Sequence, residues 1–149
     1  MEVRVFGTGL YIDESLIDAS PGTIRRQLSE YEVGDRSDFD LVVDWPATFT
    51  GQVMAAVSSI PYGSVKTYGD VASAVGTAPV AVGGAVGRNP VPIIGPCHRV
   101  VGVDGIGGYS ASGGKRYKAL LLEHEGVAVE ERFGPSIGGR PRVPKRRYR

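Results

Sequence analysis

The chain predicts an α+β fold: a short N-terminal element of two or three strands and one helix, followed by a helix-rich body. Three observations predict it. Val3, Val5, Leu10 and Ile12 alternate around Gly7-Thr8-Gly9, the pattern of two strands joined by a turn. From Thr48 to Ile60 apolar residues recur at spacings of three and four, the pattern of an amphipathic helix. The texture also changes at Trp45, where an acidic first stretch ends.

Each element has a local reason. Ser20 is a good N-cap and Pro21 suits the first helical position, so a helix is expected over Pro21 to Tyr31. Glu30 to Asp40 reads as an exposed acidic loop, and Leu41-Val42-Val43 as a further strand. Thr48 to Ile60 places Val53, Ala56, Val57 and Ile60 on one face and ends at Pro61-Tyr62-Gly63. Thr67 to Val75 is the next helix. Thr67 and Asp70 have the spacing of a capping box, Val71, Ala74 and Val75 supply the apolar face, and Gly76 is the C-cap. Pro79 opens a third helix that runs to Arg88 and stops at Asn89-Pro90.

Two short helices joined by a three-residue, Gly-containing turn make a helix-turn-helix candidate. Helical hairpins of this spacing also fill cores that never meet DNA, so spacing alone leaves both readings open. Val100-Val101 reads as a strand, residues 102–114 as a loop with six glycines, and Lys115 to Glu125 as a last helix with Leu120, Leu121 and Leu122 apolar. The expected division is 1–45, 46–126, and a basic, flexible tail over 127–149.

Composition excludes several classes. At 149 residues and 42% apolar content, one domain with a small appendage can bury a core. A single cysteine rules out an intramolecular disulfide framework and a multi-cysteine zinc site, so neither metal nor other cofactor is expected. It also fits a reducing, cytoplasmic compartment. No apolar run approaches the ~18 residues needed to span a bilayer, so a soluble protein with no membrane partner is expected.

The net charge of +1 hides a polarity. Residues 1–45 carry 4 basic and 10 acidic side chains, whereas 127–149 carry 7 basic and 2 acidic ones. The last ten residues hold six cations. Such a tail either solvates the chain or contacts a polyanion.

The chemistry centres on Cys97 in Pro96-Cys97-His98-Arg99-Val100. A lone thiol is either an inert core atom or a nucleophile. As a nucleophile it needs a base, and the base needs a third group to fix its tautomer. His98 is adjacent, but neighbouring side chains on extended chain point apart, so a bridging water or a sharp turn at Pro96 would have to connect them. Glu125, in Glu123-His124-Glu125-Gly126, is the candidate orienter.

The run Asn89-Pro90-Val91-Pro92-Ile93-Ile94-Gly95-Pro96-Cys97-His98-Arg99-Val100-Val101 resembles the active-site signature of the O6-alkylguanine-DNA alkyltransferases. Ile60-Pro61-Tyr62-Gly63, Thr67-Tyr68-Gly69-Asp70-Val71-Ala72, Ala81-Val82-Gly83, Gly107-Gly108-Tyr109-Ser110 and Leu121-Leu122-Glu123-His124-Glu125-Gly126 match in the same order. The resemblance covers residues 46–126. It implies a reduced N-terminal α/β element followed by a winged helix-turn-helix-like alkyltransferase domain.

The implied activity is direct reversal of O6-alkylguanine in double-stranded DNA by a monomer. Cys97 is the alkyl acceptor, His98 the water-mediated base, Glu125 the group that holds His98, and Asn89 the organiser of the active-site turn. Tyr68 crowds the target phosphate and donates to guanine N3. The Cys97 and Val100 carbonyls accept from the exocyclic amine, Ser110 donates toward O6, and Tyr109 lines the pocket. The third helix enters the minor groove, with Val80, Ala81, Gly84 and Arg88 at the DNA. The product thioether has no leaving tendency, so the protein is consumed in one turnover.

Four departures stand out. Val80 occupies the position where the family usually inserts an arginine into the base stack. The N-terminal element is short and acidic, the Tyr109-to-Lys115 loop is longer by about two residues, and the tail is basic. Two other classes remain in view. A damage sensor that binds without transfer usually lacks the cysteine, and a cysteine hydrolase would need direct Cys–His contact and an oxyanion hole.

Overall fold

A computed structural model describes residues 1–108 and 114–134. It opens with an antiparallel hairpin, β1 (Glu2–Val5) and β2 (Thr8–Tyr11), in which Val3 faces Leu10 and Val5 faces Thr8. The reversal lies at Phe6-Gly7, both at positive φ, so Thr8 and Gly9 belong to the second strand instead of the turn. Val3, Val5, Leu10 and Ile12 all point into the core, as their alternation predicts.

Helix α1 (Pro21–Glu32) starts as expected: Ser20 accepts from the Thr23 amide, and Pro21 takes the first turn. The expected strand at Leu41–Val43 does not form. Only an isolated antiparallel bridge joins Ile17 to Val43, and Val42 is exposed. A three-residue apolar run flanked by aspartates finds no neighbouring strand to complete a ladder.

Helix α2 (Phe49–Val57) is capped by Thr48 and buries Val53, Met54 and Val57. A short strand β3 (Lys66–Thr67) leads into α3 (Tyr68–Val75). Both arms of the capping box form: the Asp70 amide donates to Thr67, and the Thr67 amide donates to the Asp70 carboxylate. The buried face of α3 is Val71 and Ala72, while Ala74 faces solvent, a rotation of one residue from the expected stripe. Gly76 caps α3 in the left-handed region.

Helix α4 (Pro79–Val86) follows at 100° to α3, the geometry of a helix-turn-helix. Strand β4 (Val100–Val101) pairs with β3 in parallel. Helix α5 (Gly114–His124) buries Tyr117, Lys118, Leu121 and Leu122. A further helix, α6 (Val129–Phe133), lies in the stretch expected to be loose tail. Val127 and Val129 are buried against Leu122, Val101 and Ile106, so the packed body runs on to residue 134. Residues 135–149, with the basic run, lie outside the described residues. No single helix among those described is long and apolar enough to cross a membrane.

The N-terminal element does not carry its own core. Its Val3, Val5, Ile24, Leu28 and Tyr31 share one cluster with Val91, Ile93 and Ile94 of the active-site segment and with Tyr117 and Leu121 of α5. A second cluster joins α2, α3 and α4 to Cys97 and Val100. Residues 91–101 are buried throughout and thread all three clusters.

The Thr67–Asp70 box sets where α3 begins, and hence where Tyr68 points. Thr67→Ala is expected to lower stability by about 1 kcal/mol, measured as a lower midpoint in urea with an unchanged slope.

Candidate active site

Residues 89–101 build the site from a tightly fastened loop. The Asn89 amide nitrogen donates to the Gly95 carbonyl at 2.7 Å, and its oxygen accepts from the Val91 amide at 3.0 Å. One side chain thereby closes the loop that leads to Cys97. Within it Ile93 sits at φ 74°, a conformation β-branched residues rarely adopt, and it is 1% exposed. Strain of this kind persists only where surrounding packing over-determines it.

Cys97, His98 and Arg99 form a single turn of 3-10 helix after Pro96, not extended chain. Successive side chains on such a turn diverge by about 120°. His98 therefore points away from Cys97 toward Glu125: Nε2 lies 2.8 Å from Oε2, with both side chains fully buried. His98 Nδ1 is buried and has no hydrogen-bond partner among the described residues. Cys97 itself is 6% exposed and packs in the α2–α3–α4 cluster.

Three residues that the sequence reading did not single out complete the arrangement. Arg99 grips Glu125 with two bonds, Nε to Oε1 at 2.8 Å and Nη2 to Oε2 at 2.9 Å, and donates from Nη1 to the Ile60 carbonyl. Tyr31, from α1, donates to Glu125 Oε2 at 2.6 Å. Lys118 is 1% exposed and donates to the carbonyls of Val100 at 2.7 Å and Gly108 at 3.1 Å, and to the Tyr68 hydroxyl at 3.4 Å. Arg99 follows His98 directly in the motif and was readable there. Lys118 and Tyr31 stand far from it in sequence and give no local signal.

The electrostatics follow from these contacts. Burial penalises a charged Glu125, but His98 and the Arg99 fork outweigh it and hold the carboxyl well below the usual carboxylate range. Burial pushes the His98 imidazole below its ordinary value; Glu125 opposes this, while Arg99 and Lys118 add to it. The triad at neutral pH is thus an ionised carboxylate, a cationic guanidinium and a neutral imidazole whose Nε2–H faces the carboxylate. That tautomer leaves the Nδ1 lone pair free to take a proton.

Burial lowers the Lys118 ammonium to about 8, against the pull of a Cys97 anion. Burial and the same sulfur charge raise Tyr68, which keeps its phenol protonated. Tyr68 is held against the backbone of Gly107. A Cβ there would lie 2.6 Å from the Tyr68 hydroxyl, and Gly107 sits at φ 79°, so no other residue fits.

The remaining candidates fall into place unevenly. Val80 is 87% exposed at the start of α4, the most exposed large apolar side chain among the described residues. Gly84 is exposed and Ala81 half-buried. Arg88 is exposed, and its Nε donates to Thr50 Oγ1 at 3.1 Å, tying α4 to the first turn of α2. The Val100 carbonyl accepts from Lys118, and that of Cys97 from the Val100 amide. Tyr109 and Ser110 lie outside the described residues. No cluster of metal-ligating side chains occurs among those described.

The "6-O-methylguanine DNA methyltransferase, DNA binding domain" family matches over residues 48–127. The chain belongs to this family. The methylated-DNA–protein-cysteine methyltransferase of Archaeoglobus fulgidus is 47% identical over 114 residues, covering 73% of this chain and 78% of the relative. That of Metallosphaera sedula is 41% identical over 124 residues, covering 79% and 76%.

Among solved structures, Mycobacterium tuberculosis OGT in complex with DNA superposes with a TM-score of 0.65 at 42% identity, covering 70% of this chain and 66% of that one. The chain thus spans about two thirds of the mycobacterial protein. The O6-methylguanine-DNA methyltransferase of Pyrococcus kodakaraensis KOD1 superposes with a TM-score of 0.52 at 30% identity, covering 85% and 98%. Both support the α+β alkyltransferase fold.

The Glu125 cluster has a pH signature. Its folded carboxyl titrates below the unfolded value of 4.5, so the unfolded chain binds the extra proton first as pH falls. The stability Glu125 contributes is present above pH 4.5 and is lost below it. Denaturant titrations from pH 6 to pH 3 are expected to show this acid limb, and Glu125→Gln is expected to flatten it.

Proposed function

We propose that this methyltransferase repairs alkylated double-stranded DNA by direct reversal, moving the O6-alkyl group of guanine onto Cys97 Sγ in a single turnover. The observation that carries this is the buried His98–Glu125 contact next to Cys97, with Lys118 bonded to the Val100 carbonyl and the Tyr68 hydroxyl. A thiol of ordinary pKa near 8.5 is only a few per cent ionised at pH 7, so it requires this surrounding.

The thiol proton leaves through one water to His98 Nδ1, forming an imidazolium that Glu125 stabilises. Lys118 stabilises the thiolate. The sulfur lone pair attacks the alkyl carbon, forming the S–C bond as the C–O6 bond breaks. The electron pair flows into the guanine ring, and Tyr68 delivers a proton to N3, so guanine departs neutral. Lys118, beside the Tyr68 hydroxyl, balances the phenolate left behind. Among the described groups none is set to cleave the thioether.

DNA enters along α4, whose exposed edge is apolar and small. The target nucleotide must leave the stack to reach a buried sulfur. Val80 is shaped to wedge a base step, but it cannot hydrogen-bond the orphaned base. The protein acts as a monomer, since every group in this scheme comes from one chain, and it works wherever the cell keeps its DNA.

The decisive test is intact mass after incubation with a duplex carrying O6-methylguanine. One added methyl, mapped to Cys97 and absent in Cys97→Ala, is expected. Tight binding without mass change would make the protein a damage sensor; ester turnover would make it a hydrolase. Val80→Arg is expected to raise the transfer rate on duplex several-fold while leaving the rate on free O6-benzylguanine unchanged. Equal effects on both would remove Val80 from base extrusion.

A further inference from the structure

Tyr31 belongs to α1, in the N-terminal element, 94 residues from Glu125. Nothing in the motifs assigns it a role. Yet its hydroxyl makes the shortest side-chain contact to the Glu125 carboxylate, 2.6 Å to Oε2, the same oxygen that faces His98 Nε2. The ring is fully buried and cannot swing away. Phe39 packs at 5.6 Å, His124 at 5.0 Å edge-on, and Tyr62 at 6.2 Å edge-on. Tyr31's own carbonyl is hydrogen-bonded to His124 Nε2 at 2.8 Å, which pins the backbone as well.

Besides facing His98, Glu125 accepts from two further side chains. The Arg99 fork comes from the active-site turn, and the Tyr31 phenol from α1. Arg99 alone would let the carboxylate settle symmetrically in the guanidinium fork, where neither oxygen need face His98. The phenol adds the third point that fixes Oε2. Burial and the Glu125 charge keep Tyr31 protonated, so it can only donate at working pH.

We infer that Tyr31 is a positioning residue for alkyl transfer, holding the Glu125 carboxylate so that Oε2 faces His98 and thereby fixing the histidine tautomer that accepts the thiol proton. The N-terminal element then supplies part of the active site rather than a detachable appendage. This rests on the roles given above to Cys97, His98 and Glu125. The groups facing Glu125 are Tyr31 from α1, Tyr62 after α2, and His98 and Arg99 from the catalytic turn; Lys118 from α5 acts on His98.

Tyr31→Phe keeps the ring and removes only the donor. Its transfer rate is expected to fall roughly tenfold, the kinetic equivalent of one charge-assisted hydrogen bond, and equally on duplex DNA and on free O6-benzylguanine. Affinity for undamaged duplex should not change. The pH midpoint for iodoacetamide labelling of Cys97 should move up toward the ordinary thiol value of about 8.5.

A double-mutant cycle separates positioning from loosened packing. In a Glu125→Gln background, Tyr31→Phe should cost nothing further, because the group it positions is gone. A full additional loss there, or wild-type rate and labelling midpoint in the single variant, would overturn the inference while leaving wild-type transfer to Cys97 intact. Absence of transfer in the wild type would instead overturn the proposed function.

Discussion

A buried carboxylate organises this protein. Glu125 is 4% exposed and follows the last turn of α5, where Gly126 at φ 91° reverses the chain. An isolated ionised carboxylate at such a site would cost several kcal/mol, and the fold avoids this by surrounding it with donors. These come from α1 through Tyr31, from the catalytic turn through His98 and Arg99, and, distantly, from the Gly63 amide at 3.5 Å. Arg99 also donates to the carbonyl of Ile60, at the end of the α2 segment. Four stretches of chain far apart in sequence therefore meet at one charge. Truncating any one of them leaves a buried ion short of a partner, which is costlier than the bond is worth.

The same charge explains why the histidine is useful. Next to an unpaired carboxylate, a buried imidazole would be drawn toward its protonated form. Burial holds the imidazole below its ordinary value against the pull of Glu125, Arg99 adds to this, and the imidazole Nε2–H has an acceptor in the carboxylate. In the transfer proposed above, the carboxylate is at hand to stabilise the imidazolium that forms when His98 takes the thiol proton. Lys118 works from the other side. It sits on α5 among carbonyl acceptors, and its positive charge and a Cys97 anion favour one another.

Much of this was legible in the sequence because short, ordered motifs encode local geometry. Thr67 and Asp70 cap α3 as their spacing predicts, Ser20 and Pro21 open α1, and His98 meets Glu125. The failures share a cause. Leu41–Val43 has strand composition but no partner, because pairing depends on what lies beside it. The sequence left extended chain and a sharp turn at Pro96 both open for Cys97–Arg99, and the 3-10 turn that forms follows from the Asn89 clamp and the buried loop before it. Tyr31 and Lys118 carry no motif, since their importance comes from contacts across 94 and 18 residues. The N-terminal element looked separable by charge and composition, yet its apolar residues share a cluster with Val91, Ile93 and Ile94.

The Cys97 site and helix α4 are constrained to different degrees. The reacting centre is over-determined: the Asn89 clamp, strained Ile93, the Arg99 fork and the Gly107 contact under Tyr68 each fix it from a different direction. Helix α4 is under no such constraint. From Pro79 to Gly87 it carries no charged side chain, and its most exposed residue is a valine. Affinity for a phosphate backbone must then come from cations outside this helix, with Arg88 at its end the nearest in sequence. The insertion into the stack proposed for Val80 would rest on shape alone. Chemistry that demands sub-ångström placement tolerates little change, whereas extrusion of a damaged, weakly paired nucleotide costs only a few kcal/mol and can be met in more than one way.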